Sequence, residues 1–177
     1  MRNFKLQKGF TLIELLVVVS IIALLSSIIV AGLTDARGGA KNNKRNELAR
    51  QYVTGLSLFH GEHGYYPTRT SDNETFVCLG SGYPGGTCYV VGSHNENSSV
   101  NDQMSEFMPG TPASLETTVS GEYSFYGMAY RCTDENCIGY ELSWIVEGSG
   151  SDAECFGGAT KQQLNSKVGL CTYSTNS

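Results

Sequence analysis

The chain has 177 residues, a formal net charge of −5 and six cysteines, with hydrophobic residues making up 40% of the whole. Roughly 40 residues go to a charged leader and an apolar run, which leaves one modest soluble domain. Beyond Arg50 only Arg69, Arg131, Lys161 and Lys167 are basic, against fourteen acids. So acidic a domain repels phosphate and argues against nucleic-acid binding by this part of the chain.

In chain order, the leader M-R-N-F-K-L-Q-K-G (Met1 to Gly9) runs into a stretch that is apolar from Phe10 to Leu33 except for small or hydroxylated residues and one carboxylate, Glu14. The run is long enough to span a bilayer as a helix. A lone ionisable group inside it is costly and points to a function. A carboxylate so placed strongly prefers neutralisation by a cation at the same depth. A secretory signal peptide would have a shorter apolar core with its cleavage site after it. A plain single-pass anchor would leave Glu14 without a partner.

The segment K-G-F-T-L-I-E-L-L-V-V (Lys8 to Val18) resembles the class III signal of type IV prepilins and pseudopilins. The resemblance implies that a prepilin peptidase cuts after Gly9 and N-methylates the new first residue, Phe10. It implies that Glu14 pairs with the terminal amine of a neighbouring subunit during filament assembly. It also implies a platform protein, an assembly ATPase and the cytoplasmic membrane as partners. The motif covers the N-terminal fifth of the chain.

Past the membrane, Arg37, Lys41, Lys44, Arg45 and Arg50 form a basic neck, against Arg2, Lys5 and Lys8 in the leader. Counted alone, the positive-inside rule would turn the domain to the cytoplasm. Six cysteines in a small polar domain argue for an oxidising compartment instead, and the resemblance places the cleavage site on the cytoplasmic side. The neck is then expected as a collar near anionic headgroups, worth about 1 kcal/mol per basic residue. From Asp35 to Gly64 the pattern predicts an amphipathic helix with Leu48, Tyr52, Leu56 and Phe59 on one stripe beside Val53. Gly61, Gly64 and Pro67 end it. Many pilins carry proline where this chain has Ala31; Gly32 and the Gly38–Gly39 pair offer flexibility instead.

The helix exit F-H-G-E-H-G-Y-Y-P-T (Phe59 to Thr68) resembles that of major pseudopilins and related pilins. His60 and His63 have helical spacing but are read as turn residues rather than metal ligands. From Thr68 to Glu122 the chain is rich in Gly, Ser, Thr and Asn and is predicted as a long loop region with short strands. Asn73 and Asn97 open glycosylation sequons there, read as solvated loop. The strongest sheet signal, Tyr123 to Val146, predicts a β-hairpin about the turn Thr133 to Asn136, with Tyr140, Leu142, Trp144 and Val146 on one face.

Six cysteines allow fifteen connectivities, among which sequence alone does not choose. Proximity favours Cys78 with Cys88, Cys132 with Cys137 and Cys155 with Cys171, the last closing a C-terminal loop like the disulfide-bounded region of many pilins. No C-x-x-C pair supports zinc. Asp134, Glu135 and Asn136 offer oxygens for calcium but are read as a hairpin turn.

No catalytic constellation emerges; neither an enzyme activity, a cofactor nor a metal is expected. The expected fold is α+β: a long N-terminal helix packed on an antiparallel β head. Its parts are a leader at 1–9, a transmembrane and filament-core helix at 10–33, an amphipathic half and helix exit at 34–66, and a disulfide-bearing β head at 67–177. The expected function is a homo-oligomeric structural subunit of a type IV pilus-like filament. It would start as a single-pass cytoplasmic membrane protein with an extracytoplasmic head and end in a surface pilus or a periplasmic pseudopilus. A type II secretion pseudopilin and a competence pilin share nearly every feature. A single-pass receptor or enzyme is the reading from another class.

Overall fold

The protein is described from a computed structural model, which covers residues 9–69, 74–90, 92–108, 116–119, 123–148 and 153–175. The chain divides after Arg37 into two compact units, and helix α1 (Leu12–His63) contributes to both. In the first unit α1 is the sole regular element among the described residues. Its Leu12–Ile29 stretch is long and apolar enough to cross a membrane, and none of it is buried within the chain. Ser20 and Ser27 donate their hydroxyls to Leu16 O and Leu24 O, both at 2.8 Å. These two hydroxyls are therefore satisfied within the helix itself, as a hydrocarbon environment requires.

The second unit begins at Gly38 and is α+β. Its main sheet has five antiparallel strands in the order β1-β6-β7-β9-β8. These are β1 (Val77–Leu79), β6 (Met128–Cys132), β7 (Tyr140–Glu147), β8 (Thr160–Asn165) and β9 (Val168–Ser174). A smaller antiparallel sheet runs β3-β2-β5-β4, from β2 (Thr87–Tyr89), β3 (Ser93–Asn95), β4 (Glu116–Val119) and β5 (Tyr123–Tyr126). A short helix, α2 (Ser98–Met104), precedes β4.

The core lies between α1 and one face of the main sheet. Tyr52 and Leu56 from the predicted stripe, with Ala49, pack on Tyr140, Leu142, Trp144 and Val146. Those four alternate residues are all fully buried, as the period-two pattern requires. Gly55 lets the end of α2 and the turn after it approach: a Cβ there would stand 3.1 Å from Met104 Cε and 2.8 Å from Met108 Cγ.

The structure departs from the sequence reading in three places. Tyr123 to Tyr130 is not one strand but two, β5 and β6, which belong to different sheets. They part at Gly127, whose φ of +86° and whose close approach to Cys88 Cβ, 2.7 Å from a hypothetical Cβ, leave room for glycine alone. The region expected as loop contains α2, capped by Asn97, whose side chain accepts from Val100 N at 3.0 Å. Asn73, the other sequon asparagine, lies outside the described residues. The C-terminal stretch expected as a loop is the β8–β9 hairpin, and β9 pairs with β7 along seven residues.

Candidate assembly site at the head of the apolar helix

Gly9 and Phe10 are exposed just ahead of α1, Phe10 at 88%. A Cβ on Gly9 would meet nothing within 4 Å, so the fold itself places no demand for glycine there. Thr11 then acts as the N-cap. Its backbone N–H and its hydroxyl both donate to Glu14 Oε2 at 2.8 Å, and Glu14 N–H donates back to Thr11 Oγ1 at 3.3 Å. This is a reciprocal capping box, which satisfies donors that the first turn leaves orphaned. The carboxylate also lies against the positive end of the helix dipole.

The Thr-x-x-Glu spacing ahead of an apolar run is a readable signal for such a box, and the sequence reading passed over it. Glu14 thus has a local task, holding the first turn, through one oxygen. Its Oε1 makes no hydrogen bond among the described residues. From Phe10 to Ile29 the large apolar side chains are exposed, for example Leu12 at 81% and Ile28 at 66%. A surface of this extent demands lipid or other helices.

The basic neck is not a uniform collar. Arg45 is only 5% exposed and donates through Nη2 to Glu147 Oε1 at 2.8 Å and through Nη1 to Asn42 Oδ1 at 2.9 Å. Arg50 sits over the Phe156 ring, 5.6 Å from its centroid, and pairs with Glu47. Lys41 also reaches Glu147, at 3.9 Å. The expectation of headgroup contact therefore fails for Arg45: its charge belongs to the helix–sheet interface of the head. Asn42, Asn46 and Glu147 complete that interface, and sequence reasoning had given none of them a role.

The remaining candidates resolve locally. Disulfides join Cys78 to Cys88, Cys132 to Cys137 and Cys155 to Cys171. His63 stacks on Phe59 at 4.2 Å and His60 on Tyr66 at 4.5 Å, so the two imidazoles engage different rings. The Asp134 carboxylate accepts from the backbone N–H groups of Asn136, Ile138 and Gly139 at 2.9 to 3.2 Å. Those bonds hold its pKa below the ordinary value, and they turn the carboxylate inward on its own hairpin.

The family model described as the prokaryotic N-terminal methylation motif matches residues 4–30. No solved structure matches the chain.

Proposed function

Because the chain carries the class III prepilin signal of type IV pilins and pseudopilins ahead of a pilin-like α+β architecture, we propose that it is a structural subunit of a type IV pilus-like filament. The carrying observation is the head of α1: Gly9, which the fold does not require, then Phe10, then a Glu14 with one carboxylate oxygen capping its own helix and the other open. The precursor waits in the cytoplasmic membrane with its head outside. Prepilin peptidase hydrolyses the Gly9–Phe10 bond, frees the Phe10 amine and N-methylates it. That cation then meets Glu14 of a neighbouring subunit, where the paired charges offset each other's desolvation.

Lifted by the platform protein and assembly ATPase, the apolar helices exchange lipid for one another. The exposed Phe10–Ile29 surface supports this step, since close packing replaces lipid contacts with contacts between helices. The head contributes stability rather than chemistry: its helix–sheet core and three disulfides suit an oxidising exterior.

The test is to shear native cells and sequence the N-terminal peptide of this protein in the released fraction by mass spectrometry. A peptide beginning at N-methylated Phe10 in sheared material supports the surface filament. Mature protein confined to the envelope would replace it with a secretion pseudopilus, and an intact leader would overturn the prepilin reading altogether.

A further inference from the structure

The main sheet buries one face against α1, and its other face carries a cleft of about 370 Å³. The floor is set by strand register: Ala129, Ser143 and Thr172 lie side by side across β6, β7 and β9, and Leu170 lies beside Gln162 of β8. The Arg131–Glu141 pair borders this floor, and Phe76, Val90 and His94 wall it. At the low end of small-molecule site volumes, about 300–1,000 Å³, such a cleft has room for one or two sugar rings.

The charges in it are already matched. Arg131 Nε donates to Glu141 Oε2 at 2.6 Å, and its guanidinium lies over the Phe76 ring, 4.5 Å from the centroid. Burial pushes the His94 pKa down, which keeps that imidazole neutral at pH 7. An anion entering the cleft would meet Glu141, and a cation would meet Arg131. Ser143 and Thr172 hydroxyls lie 3.3 Å apart, and the Gln162 amide is exposed at the rim. Hydroxyl and amide groups both donate and accept, while the partly exposed Phe76 and Leu170 supply apolar surface for C–H faces. A wholly apolar occupant would strip water from these polar groups without replacing their bonds.

We propose that this cleft binds an uncharged carbohydrate, with Gln162, Thr172, Glu141 and Arg131 taking its hydroxyls and the partly exposed Leu170 and Phe76 taking its apolar face. This goes beyond the filament role and does not depend on it. Because the cleft lies on the sheet face opposite α1, occupying it leaves the helix–sheet core intact.

The test uses the full-length protein in a zwitterionic detergent that carries no sugar headgroup, titrated with D-glucose, D-galactose, N-acetyl-D-glucosamine and lactose by saturation-transfer NMR, with D-glucuronate as the anionic comparator. Saturable transfer to a neutral sugar is expected. Gln162→Ala and Thr172→Val, each checked for an unchanged circular dichroism spectrum, should raise its Kd about fivefold, the value of one ordinary hydrogen bond. Gln162 is exposed, so its replacement leaves the fold standing. Absence of saturable binding by all four neutral sugars would overturn the proposal. So would glucuronate binding as well as they do, or binding indifferent to both substitutions.

Discussion

Asn42 clamps the backbone of Glu147: its Nδ2 donates to Glu147 O at 2.7 Å, and its Oδ1 accepts from Glu147 N at 2.8 Å. The two residues lie 105 positions apart. One amide thereby does for the end of β7 what a further strand would do. Arg45 binds both the Glu147 carboxylate and the Asn42 oxygen, and one turn on from Asn42, Asn46 Oδ1 accepts from Trp144 Nε1 at 2.9 Å. These contacts set the register of α1 on the sheet.

Asn42→Ala should therefore cost about 1–3 kcal/mol, since it takes the partner from a half-buried N–H and a half-buried carbonyl together. The measurement is urea unfolding of the detergent-solubilised protein followed by fluorescence of Trp144, the chain's single tryptophan. A loss under about 0.5 kcal/mol, within the range of ordinary surface substitutions, would show that the clamp is not a fixed point of the fold.

This clamp marks where sequence reading runs out. The strand β7 was legible because Tyr140, Leu142, Trp144 and Val146 alternate, and α1 was legible because its apolar residues recur at helical period. Arg45 was misjudged because an arginine is by default a solvated residue, and its partner Glu147 comes 102 residues later. The edge strand β8, T-K-Q-Q-L-N, is exposed throughout, so no alternation between buried and solvated positions announces it. Gly127 is visible in the sequence, but that it parts two sheets follows only from Cys88 and Tyr83 crowding it. At the candidate assembly site the glycine–phenylalanine join and the lone carboxylate Glu14 stand out in the sequence. The cap through Thr11 was equally present in the spacing of the residues.

Tyr140 carries a prediction of opposite sign. It is fully buried, yet its hydroxyl has no hydrogen-bond partner among the described residues. Burial pushes its pKa far up, and the ring packs edge-on to Tyr66 at 4.6 Å. An unpaired buried hydroxyl costs about 1–3 kcal/mol of desolvation, while the ring supplies the packing. Tyr140→Phe should leave stability unchanged or raise it by about 1 kcal/mol. Under the same urea titration, a clear loss would mean that the hydroxyl has a partner.

Asp134 gives the pH dependence. Its three backbone hydrogen bonds favour the charged form, so its pKa in the folded protein lies below the ordinary 3.8. A depressed carboxylate contributes stability that is fully present above the unfolded value and is lost as pH falls through the folded one. Asp134→Asn should be less stable than the parent at pH 7. The gap between the two proteins should close as pH is lowered from about 5 to 2, the window in which a depressed aspartate takes up its proton. Thermal unfolding followed by circular dichroism across that window checks it. A gap that stays constant would assign the difference to packing rather than charge.

Glu14 caps its own helix, and three substitutions separate that task from the proposed pairing with a neighbour's Phe10 amine. Thr11→Val removes the hydroxyl that shares Oε2 with the backbone but keeps the Glu14 carboxylate and its open oxygen. Loss of an N-cap costs about 1 kcal/mol of helix stability, and the rest of α1 is long enough to absorb it. This variant should be cleaved and should still form filaments. Glu14→Ala removes the cap's return bond and the charge together, so it should be cleaved normally and fail to assemble, because the freed Phe10 amine then meets no carboxylate at its depth. Glu14→Gln sharpens the comparison: it can still accept from Thr11 and hold the turn, but it offers no negative charge. Immunoblots for leader removal and electron microscopy of sheared fractions read out all three. If Glu14→Gln assembles as the parent does, the carboxylate acts on its own helix alone and the intersubunit pairing is wrong. If it fails while Thr11→Val assembles, charge neutralisation between subunits is the step that Glu14 serves.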